Sequence, residues 1–375
     1  MGLYIFIVFV AVVATLFDFK KVTGGLKIAF VIITVFLGLR YMYGSDYPTY
    51  LELFRQYNSD GISFWDISGI MKSDIYGEVG WQILNKLFKP FGYFGLNIAL
   101  AIFENVVIYK MVKDYVPSRW YWLAIVVYML NSRLFLIGAC SMERQWLAVC
   151  VVFLAIKFIE EKKIVPYVMT VLLAGMFHRS AFLMLPFYFL SFVNAFSFKY
   201  FHLILFVLLL YVWNVIAPLL MAPLTNYFVA ADENVFSDYA RFADRESVNE
   251  QFTIIGLISE VIVTYVVPLL GLLYFSHVNS KTQKLILLYV VALFIKPFAE
   301  IIPMINRFDY YFIIFSICLI PLLFSLLSNS KHKLLSYGLA IIVVAIYLRQ
   351  TYGFLTAGSW ANSYIYKSIL SQPWV

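Results

Sequence analysis

The chain is 375 residues long, with 63% hydrophobic and 13% charged residues, a formal charge of +7 and a mean hydropathy of +0.84. Soluble globular domains are about half apolar and about a quarter charged. The balance excludes a soluble enzyme or a nucleic-acid-binding module and implies an all-α polytopic integral membrane protein.

Apolar runs close to the roughly 17 to 25 residues that span a bilayer recur along the chain. They cover residues 3–17, 26–39, 93–110, 120–138, 144–159, 164–177, 181–198, 203–222, 253–275, 284–303, 308–328 and 334–352. The first run has no basic residue before it and is followed by Lys20, Lys21 and Lys27. That reverses the charge order of a signal peptide and predicts a retained helix with its N-terminus outside. Threading the runs in turn gives about twelve transmembrane helices, both termini outside, in one integral domain over residues 1–375. Each inner connection is then basic, carrying for example Lys110 and Lys113, Lys157, Lys162 and Lys163, or Lys331 and Lys333, as the positive-inside rule requires.

Two larger segments remain outside, residues 40–92 and 223–252. In the first, Tyr47, Tyr50, Leu51, Phe54 and Tyr57 share one helical face, which suits a helix lying in the membrane interface. Residues 79–88, with Trp81, Ile83, Leu84, Leu87 and Phe88, read the same way. Asp238, Arg241 and Arg245 in the second segment fit a solvated surface equally well. Cys140, Cys150 and Cys318 lie in or beside apolar runs without metal-like spacing and read as packing residues.

With Arg119 excepted, this threading places every arginine outside, where topology does not require it. Guanidinium groups bind phosphate and carboxylate bidentately, so arginines at the outer ends of several helices suggest a bound anion. The competing reading is that they snorkel to lipid head groups. The outward ionisable set comprises Arg40, Asp46, Glu78, Arg133, Glu143, Arg144, His178, Arg179, Lys296, Glu300, Asn306, Arg307 and Arg349. Ionisable groups at membrane depth mark a pathway or site by default.

Asp46, between glycine-serine and Tyr47-Pro48, fits a helix N-cap as well as catalysis or sugar binding. His178 is the one outward histidine of this threading. The run before it, residues 164–177, spans only about 21 Å at 1.5 Å per residue, against roughly 30 Å of hydrocarbon. His178 should therefore sit in a recess beside Arg179, as a general base, an anion ligand or a satisfied helix-end residue. Glu104, Glu260 and the pair Lys296 and Glu300 lie within helices and read as structural. Absence of an Asp-x-Asp pair in the outer loops favours metal-independent chemistry, with arginines neutralising any pyrophosphate leaving group. No nucleotide loop or acyl-transfer elbow occurs in a convincing context, so no cofactor is expected.

Several landmarks then occur in a consistent order. These are Arg40, Gly44, Asp46 and Tyr50 after the second run; Glu78, Gly80 and Trp81; Arg144-Gln145; Phe177-His178-x-Ser180-Ala181; and Arg307 with Tyr311. In this the chain resembles the EpsG-type branch of the Wzy-like polysaccharide polymerases, which make O-antigen, capsule or exopolysaccharide. Glu143 and the 223–252 loop match no part of that pattern. The resemblance implies a polymerase-type or GT-C-like bundle in a bacterial inner or plasma membrane, with its site facing the periplasm or exterior. Its substrate would be an undecaprenyl-pyrophosphate-linked oligosaccharide within membrane lipid, with room for a separate chain-length regulator as partner. His178 or Asp46 would be the base, with Arg40, Arg144, Arg307, Glu78, Tyr50, Arg133 and Arg179 binding the substrate or its pyrophosphate. A flippase for lipid-linked oligosaccharide and a membrane O-acyltransferase are the competing functions.

Overall fold

The computed structural model describes residues 1–19, 24–73, 78–193, 200–231, 266–299, 303–329, 331–356 and 361–371. They divide into two compact units, Met1–Phe189 with Tyr347–Val375, and Leu190–Ile346.

In the first unit, helices α1 (Gly2–Phe19) and α2 (Gly25–Gly38) pack as an antiparallel pair. Asp18 at the end of α1 caps α2, its carboxylate accepting the backbone N–H groups of Gly24 (2.9 Å) and Leu26 (2.5 Å). The other end of α2 is also closed by side chains. Asn97 donates to the carbonyls of Leu37 and Gly38, satisfying orphan acceptors of the last turn. Strand β1 (Arg40–Tyr41), α3 (Tyr47–Ser59), α4 (Ile67–Ser73) and α5 (Val79–Leu87) follow, then the long α6 (Gly92–Tyr115).

Helix α7 (Tyr121–Leu130) ends at Asn131, whose side-chain oxygen accepts the N–H groups of Arg133 and Leu134. The chain bends there by 53° into a π-helical segment, Arg133–Ala139. Helices α8 (Glu143–Glu160) and α9 (Ile164–Phe177) form a tight pair, followed by a 3-10 segment, Arg179–Phe192.

The C-terminal residues return to this unit. Strand β2 (Lys367–Ser368) pairs antiparallel with β1, Arg40 opposite Ser368. Gly44 donates to Ser363 O (2.8 Å), Tyr364 to Leu136 O (2.7 Å) and Tyr366 to Phe36 O (3.0 Å). Gly44 has φ +121°, and a Cβ there would lie 2.1 Å from Cys140 O, so only glycine permits this crossing. Tyr4 of α1 donates to Met129 O and lies 6.0 Å from Phe36, whose ring stacks on Tyr366 at 4.6 Å. Tyr4 and Tyr366 therefore occupy the same end of the unit as Arg40.

The second unit contains α10 (Tyr200–Ala231), α11 (Val267–Leu273), α12 (Ser280–Ala299), α13 (Pro303–Ile313) and α14 (Ser316–Ser328). It also holds residues 333–346 of α15 (Lys333–Thr356). Lys284 donates to Leu190 O (2.6 Å) and to Val193 O, closing the end of the 3-10 segment. Trp213 ties α10 to α12 through Phe294 O (2.8 Å).

Long rows of exposed apolar side chains, such as Phe6, Phe9 and Val13 on α1 or Val165, Met169 and Leu172 on α9, form a lipid-type surface. The chain is an all-α membrane protein apart from the two-residue strands. Among the described residues three helices are long and apolar enough to cross a bilayer, Lys89–Tyr115, Arg307–Ser328 and Lys333–Thr356, and the bent pair at Asn131 would make a fourth. Shorter apolar helices, including Gly25–Gly38 and Ile164–Phe177, accompany them.

The twelve uniform crossings expected from hydropathy are thus not what the described residues contain. The run 120–138 is broken by Asn131 and the run 181–198 is 3-10 as far as Phe192, whereas the run 308–328 stays long enough to cross as Arg307–Ser328. Most of 253–275, with Glu260, and the loop residues Arg241 and Arg245 lie outside the described residues, as do Glu300 and the side chains of Lys296 and Asn306.

The expected interfacial helices also differ. The apolar face of α3 is buried in protein, with Tyr47 and Phe54 against Tyr93 (ring centroids 5.2 and 5.7 Å) and Tyr50 against Trp81 (5.6 Å). In α5 the buried side chains include Gln82, Asn85 and Lys86, while Leu87 is exposed. Apolar spacing identifies an amphipathic face but not whether lipid or protein covers it.

Candidate functional site

Arg40 follows α2 directly and turns back into the unit. Its Nη2 donates to Glu143 Oε1 at 2.9 Å and Nη1 to Leu37 O at 3.2 Å, with the Tyr47 ring 5.9 Å from Cζ. The Tyr93 hydroxyl donates to the same Glu143 oxygen at 2.8 Å. Arg40 is 1% and Glu143 2% exposed. Glu104 faces the same charges from within α6, interacting electrostatically with both. A buried guanidinium so paired is costly to separate from its carboxylate, because either charge left alone would be unsolvated. This geometry departs from the expectation of Arg40 as a direct anion ligand.

A second constellation is centred on Glu78, the residue that precedes α5. Its Oε2 accepts Arg144 Nη1 at 2.5 Å, and Oε1 faces the Arg179 backbone N–H at 3.4 Å and His178 Nε2 at 4.0 Å. The close approach of α5 to α9 places it there: a Cβ on Gly80 would lie 2.7 Å from Met176 Cβ. Arg144 Cζ lies 5.7 Å from the Tyr50 ring centroid, a cation–π distance. Burial pushes the Tyr50 hydroxyl up to about 12 against the opposing pull of Arg144, so at neutral pH it is an uncharged phenol. Asp46 interacts electrostatically with Tyr50 and with Glu143, joining this constellation from the start of α3. It is the residue before the helix, as its sequence position suggests, but its carboxylate makes no cap and instead accepts the Ser45 hydroxyl at 2.9 Å.

His178 breaks out of α9 in an extended conformation and is 9% exposed, a recessed position at a helix end. The Ser180 hydroxyl lies 2.6 Å from Nδ1 and the Ser180 backbone N–H points to the same nitrogen at 3.4 Å. An N–H aimed at Nδ1 makes that nitrogen an acceptor, which leaves the proton of the neutral ring on Nε2, towards Glu78. The tautomer is thus set by the Ser180 backbone N–H, with Glu78 Oε1 4.0 Å from Nε2 on the other side of the ring.

Of the nine sequence candidates, Asp46, Tyr50, Glu78, Arg144, His178 and Arg179 converge here. Arg40 forms the adjoining buried pair, Arg133 begins the π-helical segment, and Arg307 with Tyr311 belongs to α13 of the second unit. Arg349 is exposed on α15. Glu143, Tyr93 and Ser180 are the participants that residue-by-residue reasoning did not assign. Among the described residues no three His, Cys, Asp or Glu side chains form a metal-ligand set. The arrangement can hold an anion beside a proton acceptor and keep both oriented through one carboxylate.

A model of the EpsG family matches residues 26–368, a stretch that contains every candidate named above. The chain belongs to the EpsG family. No curated protein and no solved structure matches it. For a member of the EpsG family, with its apolar helices, a membrane location and a polysaccharide-polymerase type of role follow. The EpsG family match also closes at Ser368, the β2 residue opposite Arg40.

Proposed function

We propose that this EpsG family member polymerises undecaprenyl-pyrophosphate-linked oligosaccharide repeats into a surface polysaccharide, working at the outer face of a bacterial plasma or inner membrane. The observation that carries the reading is the Glu78 constellation, in which one carboxylate engages Arg144, the backbone of Arg179 and a recessed imidazole. In the reaction, an acceptor hydroxyl of the incoming repeat attacks the anomeric carbon of the growing glycan. The bond from that carbon to the pyrophosphate oxygen breaks and the electron pair leaves with the lipid pyrophosphate, while the acceptor proton passes to the Ser180 hydroxyl, which gives its own proton to His178 Nδ1.

Arg144 and Arg179 neutralise the charge that develops on the leaving oxygen, the role in which preorganised cations contribute most. Glu78 keeps Arg144 and His178 in register, and Tyr50 braces the guanidinium. Asp46 stands at the same end as a second proton acceptor or a sugar ligand. Arg40, sealed against Glu143, holds the scaffold beneath the site. Arg133 is a further pyrophosphate ligand in this reading, while Arg307, which belongs to the second unit, is assigned to the substrate on its sequence position alone. Arginine neutralisation makes the chemistry metal-independent, and a separate regulator sets chain length.

Deletion in the producing strain tests the reading. Single lipid-linked repeats should accumulate on the outer leaflet while long polymer disappears. Accumulation on the inner leaflet would instead identify a flippase, and normal polymer lacking an acyl group an acyltransferase.

A further inference from the structure

Helices α3 and α5 run side by side in the same direction, with Tyr50 packed on Trp81 near their first turns and Asn58 Nδ2 donating to Asn85 O (3.3 Å) near their last. Their beginnings, Asp46 and Glu78, belong to the constellation described above. Their far ends enclose a cavity of about 270 Å³ lined by Tyr57, Asn58, Gly61, Ile62, Ser63, Phe64, Lys86 and Lys89.

This cavity is built rather than incidental. Lys86 is buried beneath it, donating to both Asp60 oxygens (2.6 and 2.7 Å), to Tyr57 O (2.5 Å) and to Ile62 O (3.0 Å). Those bonds fasten the turn after α3, with Gly61 at φ +72°, and neutralise the ammonium in place. Asn58 commits its NH2 group to Phe54 O (2.8 Å) and Asn85 O, yet its buried Oδ1 has no hydrogen-bond partner. Phe64 adds an aromatic face, 4.5 Å from the ring of Trp65, which is 80% exposed.

We infer that this cavity is a saccharide subsite. The inference rests on the polymerase reading and adds to it the place where the glycan, away from the reacting bond, is held. A sugar ring offers hydroxyls to Ser63 and Lys89 and an apolar C–H face to Phe64, the mixture of an apolar lining with a few polar groups expected of a ligand site. A phosphate fits less well, because Lys86 is already matched by Asp60 and of the lining cations this leaves Lys89, which donates to Asn58 O (2.9 Å). The eight residues from Glu78 to Lys86 correspond to about 12 Å along a helix, which places the subsite some sugar rings away from His178.

The test is photocrosslinking in the producing strain, with benzoylphenylalanine at Phe64 in the full chain and at lipid-facing Phe9 as the control. The subsite predicts light-dependent attachment of periodate-stained glycan at position 64 and none at position 9. Attachment of lipid alone, or no glycan in cells whose wild-type protein makes polymer, would overturn it. As a second measurement, Ser63→Val and Phe64→Ser leave the Lys86 bonds intact and should shorten the polymer several-fold at normal protein level. Unchanged chain length in both would also overturn the subsite. Failure of the wild-type protein to extend lipid-linked repeats would instead overturn the polymerase reading.

Discussion

Glu143 and Arg144 are consecutive at the start of α8, yet Glu143 pairs with Arg40 at 2.9 Å and Arg144 pairs with Glu78 at 2.5 Å. Neighbours on a helix diverge by about 100°. One turn of α8 therefore joins a sealed structural pair to the more open constellation beside His178, and its position sets both.

The sealed pair should behave as a unit. Removing one charge, as in Glu143→Gln or Arg40→Met, is expected to destabilise the protein by about 3–5 kcal/mol because the partner is left buried and unmatched. The double variant Arg40→Met with Glu143→Gln should lose less than the sum of the two. Thermal unfolding in detergent, read as a double-mutant cycle, measures this coupling; additive losses would show that the pair is not acting as one.

Glu78→Gln should lower polymer formation per folded protein about 10²-fold or more, the scale associated with losing a preorganised charge contact, beyond the stability lost by leaving Arg144 unmatched. Arg144→Lys should not rescue it, since an ammonium lacks the planar fork that engages Glu78 and a phosphate together. Glycan gels normalised to protein level read both variants, and full-length polymer from either would remove Glu78 and Arg144 from the active arrangement.

The ring of His178 should carry its proton on Nε2. With ¹⁵N-histidine labelling, the resonances missing from His178→Gln identify the ring, and its Nδ1 should appear as the unprotonated nitrogen. Ser180→Ala and Ser180→Thr both keep the backbone N–H that points at Nδ1, and both should keep this tautomer. A ring protonated on Nδ1 in the wild type would contradict the role assigned to Ser180.

At the crossing of β1 and the C-terminal segment, Gly44→Ala combines a left-handed backbone with a Cβ 2.1 Å from Cys140 O. Strain of this type is worth on the order of 1–3 kcal/mol per residue before any clash. Lower melting temperature and loss of polymer together are expected. Tyr364→Phe should have a milder effect of about 1 kcal/mol, the ordinary net value of a hydrogen bond.

Much of this was legible in the sequence, for identifiable reasons. The run 164–177 coincides with α9 because its polar boundaries, Lys163 and His178, are sharp. His178, Glu78, Arg144 and Asp46 stood out because ionisable residues at membrane depth have few structural reasons to be there. The break at Asn131 was hidden, since the apolar pattern continues through it while a side-chain cap bends the backbone. The pairing of Arg40 with Glu143 was hidden too, because residues 103 positions apart meet only once α2, α6 and α8 are packed. The burial of Lys86 was hidden as well, since it depends on Asp60 across the turn.

The central claim is that the Glu78 constellation supports glycosyl transfer from a lipid pyrophosphate. Its most direct test is turnover by the purified full-length protein of the lipid-pyrophosphate-linked repeat extracted from the producing strain, read as product length by gel. The account predicts a ladder of polymer that persists with a chelator present and is lost in His178→Ala and in Arg144→Met. A ladder that vanishes with the chelator, or that survives both substitutions, would contradict it.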